Sequence, residues 1–494
     1  MLSAPIVRVA LEPVNPQDMP KLIEGLKLLN QADPCVESLV QDTGEHVILT
    51  AGELHLERCL KDLRERFARC EIQVSPPLVP FRETCVRAPE MPPPKAEGAP
   101  RGTMDGSVAN GVVSYRVRAV PLPKPVVEFL LANTQTLTRL QNRSTAHGVA
   151  EAEEEAGSVD VAGSQASKTV RADKFWQTLQ TVLEKCGQDR TGEDWREVVE
   201  KIVSFGPRRV GANILVDRTG SGRSSLRNRT DPSRAATRRS SGIATAAHAN
   251  AGEAHEAKEL SEALHKMSVS DDTCSTSRGV NLSSLNESID SGFQMATSAG
   301  PLCAEPMQGL AFFLESITLN PSSTASTSVS SVTGPLMSTF RESCKQGLLD
   351  WSPRLMLAMY SCDIQASTEV LGKVHAVLAK RRGRIISEEM KEGTSFFTVG
   401  SLLPVVESFG FADEIRKRTS GAASPQLVFK GFELFDLDPF WVPRTEEELE
   451  DLGEKGDREN VAKKYMDGVR KRKGMFVTER IVEAAEKQRT LKSN

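Results

Sequence analysis

The sequence lacks the features that define several large classes of protein. It contains no G-x-x-x-x-G-K-[ST] segment and no G-x-G-x-x-G segment, so both common glycine-rich cradles for a nucleotide phosphate are absent. No run of roughly 18 consecutive apolar residues occurs, which argues against a transmembrane helix. The formal net charge of -4 excludes a uniformly basic protein that coats nucleic acid. We therefore expect a chain that binds no nucleotide by these routes and has no membrane partner.

The cysteines and histidines do not have the spacing that is typical of a disulfide framework or of a metal site. The nine cysteines form no C-x-x-C pair, and their spacing does not resemble that of a secreted disulfide scaffold. The seven histidines include no two that are four residues apart, the spacing of helical zinc ligands. The first residues also lack a basic segment followed by a long apolar run. These features predict a soluble, cytoplasmic monomer without a metal site.

The apolar residues follow a pattern that occurs near both ends of the chain. A length of 494 residues is enough for about three domains. Residues 1–82 and residues 346–442 each show the order strand, helix, strand, strand, helix, strand, which is typical of a split βαβ sandwich. Residues 83–345 predict a central domain and residues 443–494 a charged helical tail. The predicted class is α+β, with two ferredoxin-like βαββαβ sandwiches flanking a central α+β domain.

Three segments of the central domain have a composition typical of disorder. Residues 143–169, 219–284 and 321–333 are rich in Ser, Thr, Ala, Gly and charge and poor in aromatic residues. Such segments cannot bury enough apolar surface to offset the entropy of ordering. We interpret all three as disordered insertions at loop tips, including the arginines of residues 223–239.

One acidic and histidine-containing stretch invites a catalytic interpretation. Glu53, His55 and Glu57 lie within five residues, but a helix turns by about 100° per residue, so His55 points away from the two glutamates. The neighbouring apolar residues recur instead at the period of one buried helical face; they are Leu56, Cys59, Leu60, Leu63 and Phe67. The stretch therefore predicts a structural helix, and we predict no catalytic or cofactor-binding residue.

Clusters of basic residues are better candidates for a functional site than the stretch around Glu53. Three of them stand beside turn glycines, which favours contacts with RNA phosphates, although a charge run on a solvated face is the alternative for each. The candidate RNA contacts are Lys380, Arg381, Arg382 and Arg384 in KRRGR, Arg208 and Arg209 in FGPRRVG, and Arg470, Lys471, Arg472 and Lys473 in VRKRKG.

Several motifs together resemble the translational GTPases of the elongation factor 2 and elongation factor G group. These are AGELHLERCLKDL, VPFRET, FGPRRVGANILVD, SGFQMATSAGPLCAEPMQGLAFFL and ESFGFADEIRKRTSG. Their order and spacing resemble domains III, IV and V of that family. The resemblance implies that the central domain is similar to ribosomal S5 domain 2. It also implies that GTP and magnesium belong to an N-terminal domain that this chain lacks, so the chain should be the C-terminal half and inactive alone.

Within that group, the interval where elongation factor 2 has its modified histidine contains no His here, between Leu319 and Arg341. The large insertions and the basic tail resemble instead the elongation factor-like GTPases of large-subunit maturation. That resemblance implies the large ribosomal subunit and its RNA as partners, together with an SBDS-family protein. It further implies release of anti-association initiation factor six from the pre-60S particle. A divergent translocase fragment and a non-enzymatic ribosomal RNA-binding adapter are the alternatives.

Overall fold

A computed structural model describes most of the chain outside the long polar segments. The described residues are 7–40, 46–75, 77, 79–88, 91, 93–96, 98–109, 111–145, 170, 174–187, 193–220, 225–230, 282–320, 329–390, 394–441, 450 and 460–477. Their strands form three sheets, and each sheet carries helices on at least one face. The mixed α+β class predicted from the sequence is confirmed.

The first unit is an antiparallel sheet covered by two helices. It contains β1 Val7–Pro13, α1 Met19–Ala32, β2 Glu37–Val40, β3 His46–Thr50, α2 Glu53–Asp62 and β4 Ile72–Val74. The strand order is β2-β3-β1-β4. Alternate residues of β1 face the helices, because successive side chains of a strand point to opposite faces. The apolar face predicted for α2 lies in or against this core, with Leu56, Cys59 and Leu63 buried.

The central unit has helices on both faces of a five-stranded sheet. Its elements are β5 Phe81–Val86, β6 Thr103–Val108, β7 Val113–Pro121, α3 Lys124–Ala132, α4 Thr134–Thr145, α5 Phe175–Cys186, β8 Ile202–Gly206, β9 Asn213–Asp217, α6 Leu226–Thr230, α7 Leu282–Ser298, β10 Leu310–Leu319 and α8 Val329–Leu349. The strand order is β6-β7-β10-β9-β8. Phe312 of β10 packs towards α7 and α8, whereas Phe313 packs towards α3 to α6. The sheet is therefore buried on both faces.

Two of the predicted insertions are shorter than the sequence indicated. Helix α6 lies inside residues 219–284, where Leu226 is buried and the Thr230 hydroxyl accepts a hydrogen bond from Trp176 Nε1 at 3.0 Å. Helix α8 begins inside residues 321–333, and Val332 is fully buried. The average composition of a long polar segment does not reveal one or two apolar residues within it. The burial of such residues can be enough to stabilise a short helix. Residues 146–169, 231–281 and 321–328 lie outside the described residues.

The third unit repeats the element order of the first. It contains β11 Ser352–Ser367, α9 Leu371–Lys380, β12 Arg384–Met390, β13 Phe396–Pro404, α10 Phe411–Thr419 and β14 Ala423–Leu434. The strand order is β12-β13-β11-β14. The first half of β11 also pairs with β5, from Ser352 opposite Val86 to Leu357 opposite Phe81. The segment that leads into the central unit is thus also a strand of the third sheet.

A last helix, α11 Val461–Arg472, follows the third unit. The side chain of Asn460 caps it by accepting a hydrogen bond from the Ala462 amide at 3.0 Å. Met466 and Val469 are buried against Phe81 and Leu302, so the helix is docked on the rest of the chain. Within the described part of the chain, no helix is both long and apolar enough to cross a membrane.

Candidate nucleic-acid interface around the last helix

Helix α11 contacts the third unit, the central unit and the segment that follows the first unit. The Tyr465 hydroxyl donates to Glu407 Oε1 of the third unit at 2.5 Å. At the other end, Lys473 Nζ donates to Glu305 Oε1 of the central unit at 2.6 Å. The Arg472 guanidinium donates to the carbonyl of Pro77, in the segment that joins the first unit to the central one. The helix therefore lies where these three parts of the chain meet.

Of the four candidate RNA contacts from Arg470 to Lys473, Lys473 points into the protein. Its ammonium group also donates to the carbonyls of Cys303 and Ala304, at 3.0 and 2.9 Å. Lys473 lies four residues after the buried Val469 and so points to the same side of the helix. There it neutralises Glu305, whose side chain is 3% exposed. Arg470 is half-buried and donates to the Phe476 carbonyl at 2.9 Å, while Lys471 and Arg472 are exposed.

The loop that holds Lys473 is itself built around a buried carboxylate. Glu83 accepts hydrogen bonds from the amides of Leu302, Cys303 and Glu305 at 2.7, 2.9 and 2.9 Å. Burial raises the pKa of Glu83, although these amides act in the opposite direction. A Cβ at Gly300 would lie 2.2 Å from Glu83 Oε2, so only glycine fits there. The VPFRET and SAGPLCAEP motifs therefore serve the packing of this loop, and Glu83 is not placed as a catalytic group.

The KRRGR cluster divides into internal and solvent-facing side chains. Arg381 Nε donates to Glu414 Oε2 at 2.9 Å, and Arg381 Nη1 donates to the Glu407 carbonyl at 2.7 Å. Its side chain is only 17% exposed, so the prediction that it contacts RNA conflicts with its internal contacts. Lys380 is exposed and pairs with Glu414 Oε1 at 2.8 Å. Hydrogen bonds from Lys380 and Arg381 lower the pKa of Glu414 to about 2.

Arg382 and Arg384 face solvent. Arg384 pairs with Glu433 at 2.8 Å, and its side chain is 68% exposed. Arg382 adopts a left-handed backbone conformation with φ of 57°. No hydrogen bond or ion pair of its side chain occurs within the residues that the structure describes. Burial and Glu407 raise the pKa of Tyr465 on α11, and Arg382 acts in the opposite direction.

The two arginines of the FGPRRVG turn have different roles. Both are left-handed, with φ of 56° at Arg208 and 63° at Arg209. The Arg209 amide donates to Gln294 Oε1 at 3.0 Å, and its guanidinium pairs with Asp290 at 3.1 Å. Arg208 is exposed, and the described residues provide no hydrogen-bonding or ionic partner for it. Arg209 therefore secures the turn on α7, while Arg208 is presented to solvent.

Glu53 and His55 have separate structural partners. The Glu53 carboxylate accepts the Gly410 amide at 2.8 and 3.0 Å, which joins the first unit to the third. His55 Nδ1 accepts the Ala51 amide at 3.1 Å, so Nε2 carries the proton and donates to Asp33 Oδ2 at 2.8 Å. No convergent acid and base pair results.

Asp33, His55 and Cys59 offer ligand atoms that all lie within 4.8 Å of one another. A metal on Nε2 would require the proton of His55 to move to Nδ1, where the Ala51 amide already donates. Burial also raises the pKa of the Cys59 thiol to about 12, which disfavours the thiolate that a metal needs. The arrangement therefore suits a hydrogen-bonded anchor for α2 better than a metal site.

Comparison with known proteins places these contacts in a family. Residues 2–76 match Elongation Factor G, domain III, residues 118–218 match the Elongation factor-like GTPase 1-like domain, and residues 354–441 match Elongation factor G C-terminus. Over 99% of its length the chain is 46% identical to Ribosome assembly protein 1 of Schizosaccharomyces pombe and 42% identical to the protein of that name in Saccharomyces cerevisiae. Over 100% of its length it is 39% identical to Elongation factor-like GTPase 1 of Homo sapiens. The chain spans 44%, 39% and 45% of the lengths of these three relatives. It belongs to the elongation factor-like GTPase family.

Proposed function

We propose that the chain is the ribosome-binding portion of an elongation factor-like GTPase that acts in the cytoplasm on the maturing large subunit. In this role it promotes release of anti-association initiation factor six, together with an SBDS-family protein. The observation that carries the proposal is the similarity to two proteins named Ribosome assembly protein 1 across 99% of the chain. The exposed cations Arg208, Arg382 and Arg472 support it, since ribosomal RNA is a polyanion.

The contacts between units support a mechanical role in this process. In the proposed architecture, two ferredoxin-like sandwiches flank a central domain similar to ribosomal S5 domain 2. The first and third units are joined by the hydrogen bond from the Gly410 amide to the Glu53 carboxylate. They are also joined by the Tyr360 hydroxyl, which donates to the Ala51 carbonyl at 3.0 Å. Helix α11 joins the third unit to the central unit. A change imposed on one unit would therefore be passed to the others, which is how a conformational change can alter contacts with a distant partner.

GTP and magnesium enter this proposal as ligands of another part of the full-length protein. The chain's own contribution is to bind the subunit and to hold its contact surfaces in one orientation. With GTP and magnesium bound, the nucleotide-binding part would supply the conformational change that drives release of the initiation factor.

A chimaera tests the proposal directly. The matching segment of the Saccharomyces cerevisiae relative is replaced by this chain, and release of initiation factor six from pre-60S particles is followed in the presence of GTP and an SBDS-family protein. We expect release at a rate comparable with that of the unaltered relative. A chimaera that is folded and hydrolyses GTP but leaves the factor bound would contradict the proposal.

A further inference from the structure

A cavity of about 480 Å³ lies between the central and third units, where β5 and the start of α3 meet β11 and β14. Most of its wall is apolar and comes from Val86, Leu122, Val127, Met356 and Leu434. Ligand sites in proteins span roughly 300–1,000 Å³ and combine an apolar wall with a few fixed polar groups. The cavity therefore has the size and the wall of a binding site, and its polar groups determine what it can bind.

Two polar side chains in the wall of this cavity are nearly buried and have no hydrogen-bond partner. Thr84 is 7% exposed and Gln308 is 6% exposed, and both line the cavity. Neither side chain forms a hydrogen bond with another residue in the described part of the chain. Since buried polar side chains are nearly always hydrogen-bonded, the Thr84 hydroxyl and the Gln308 amide are placed to bond to a ligand that enters the cavity.

The backbone next to Gln308 keeps the cavity open. The Gln308 amide donates to the Glu83 carbonyl at 2.9 Å, which fixes this residue beside β5. The next residue, Gly309, has φ of 81°, a conformation that favours glycine. A Cβ at Gly309 would lie 3.4 Å from Val127 Cγ2 and 3.8 Å from Thr84 Oγ1, two residues of the wall. A side chain at position 309 would therefore extend into the space that a ligand would occupy.

The opening of the cavity is positively charged. Arg87 and Lys124 line it and are exposed, and no described residue of its wall is acidic. Lys124 forms no ion pair within the described residues. It is also the first residue of α3, whose N-terminus has no side-chain cap and carries the positive end of the helix dipole. An acidic group at the opening would be stabilised by both.

We propose that this cavity binds an extended, acidic peptide segment of a partner protein, which places one apolar side chain inside and an acidic one beside Lys124. An extended segment has a free amide and a free carbonyl in its backbone. The side-chain amide of Gln308 can bond to both groups, since it carries a donor and an acceptor, and the Thr84 hydroxyl can add a third hydrogen bond. The apolar side chain in the cavity would be the anchor of the interface. The site shares no residue with the candidate RNA contacts and goes beyond the proposed function.

The test selects peptides with the full chain as the target. A library of short random peptides displayed on phage is first depleted on Val127→Phe, whose larger side chain fills the cavity, and is then selected on the wild type. Leu131→Phe is the matched control, because Leu131 lies on the same helix at an exposed position. The consensus peptide is synthesised with a fluorescent label, and its affinity is measured by fluorescence anisotropy.

A second set of variants leaves the shape of the cavity nearly unchanged. Thr84→Val and Gln308→Met, combined in one chain, replace the two polar groups with apolar ones of similar size. Lys124→Gln removes the charge at the opening, and Lys417→Gln removes one from an exposed position of α10 as its control. Thermal unfolding of every variant separates effects on folding from effects on peptide binding.

We expect the selected peptides to share an apolar residue with Asp or Glu beside it. The double variant should weaken the consensus peptide by about tenfold, and Lys124→Gln by about two- to fivefold at low salt, while both controls keep the wild-type affinity. The double variant should also keep the wild-type melting temperature, because neither replaced group has a hydrogen bond to lose.

Three results would overturn the proposal. The first is that no peptide is enriched on the wild type after depletion on Val127→Phe. The second is that the enriched peptides bind the double variant as tightly as the wild type. The third is a double variant that melts at a lower temperature, which would show that Thr84 and Gln308 support the fold instead. Loss of large-subunit binding by the wild type, with peptide binding retained, would contradict the proposed function and leave this site in place.

Discussion

At the residue scale, the charged side chains of the three basic clusters divide by the partners they contact. Arg381, Arg209 and Lys473 bond to acidic groups or carbonyls inside the protein. Arg382 and Arg208 face solvent on left-handed backbone. Sequence spacing could identify both kinds as basic clusters but could not separate them, because the acidic partners are distant in sequence. Glu305, for example, is 168 residues from Lys473.

Lys473 should contribute strongly to stability. Replacement of Lys473 by Met leaves the Glu305 carboxylate buried without its partner, so we expect a loss of about 3 kcal/mol in the free energy of unfolding. Urea unfolding followed by circular dichroism measures the change. The matched control is Lys464→Met at an exposed position of the same helix, which should alter stability by less than about 0.5 kcal/mol. Addition of Glu305→Gln to Lys473→Met should recover part of the loss, and a double variant less stable than the single one would contradict this account.

The pair of cations at Glu414 predicts a dependence of stability on pH. The pKa of Glu414 falls from its ordinary value of 4.5 to about 2 in the folded chain. Its stabilising effect is therefore fully present above pH 4.5 and is lost as the pH falls towards 2. We expect Glu414→Gln to cost on the order of 1 kcal/mol near neutral pH, since the pairs are partly exposed. The difference from wild type should shrink in unfolding experiments between pH 4.5 and pH 3, and a difference that grows on acidification would exclude this role.

At the element scale, hydrophobic periodicity predicted the helices of the first and third units. The face of α2 that the sequence indicated is buried, with Leu56 and Cys59 among its core residues. Val374 and Val377 are core residues of α9 in the corresponding position of the third unit. The short helix α6 was missed because only five residues of an arginine- and serine-rich segment form it. Its order depends on tertiary contacts with Trp176, which no local pattern reports.

Helix α6 should therefore be part of the folded core. Leu226→Ala removes a side chain that is 2% exposed, and we expect a loss of about 2–3 kcal/mol in the free energy of unfolding. Leu131→Ala is the control, because Leu131 lies on α3 with 48% of its surface exposed. Equal and small effects of the two substitutions would show that α6 does not contribute to the core.

Helix α11 should hold the loop at residues 302–305 in place. Deletion of residues 460–494 removes Lys473 and uncovers Phe81, Leu302 and Met359. Hydrogen exchange should then increase at the amides of residues 302–305, while the amides of β1 and β3 keep their protection. Unchanged exchange at the loop after deletion would mean that the helix adds little to its stability.

At the scale of the whole molecule, the three units share strands and side-chain contacts. Strand β5 belongs to the segment that enters the central unit yet pairs with β11 of the third. This pairing could not be read from the sequence, because an antiparallel pair between residues 81–86 and residues 352–357 has no local signature.

The chain alone is expected to bind no GTP. The sequence has no glycine-rich cradle of either common type for a nucleotide phosphate. Isothermal titration calorimetry with GTP and magnesium should therefore give no binding signal. Saturable binding in the micromolar range would require a phosphate site of a different kind and would contradict this expectation.

The central claim is that this chain binds the large ribosomal subunit, and co-sedimentation of the full chain with purified subunits tests it most directly. Large and small subunits are compared at physiological salt, with bovine serum albumin as a reference for non-specific recovery. The account predicts saturable recovery of the chain with large subunits, weakened by added salt as phosphate contacts require, and much lower recovery with small subunits. Equal recovery with both subunits, or none with the large one, would contradict it.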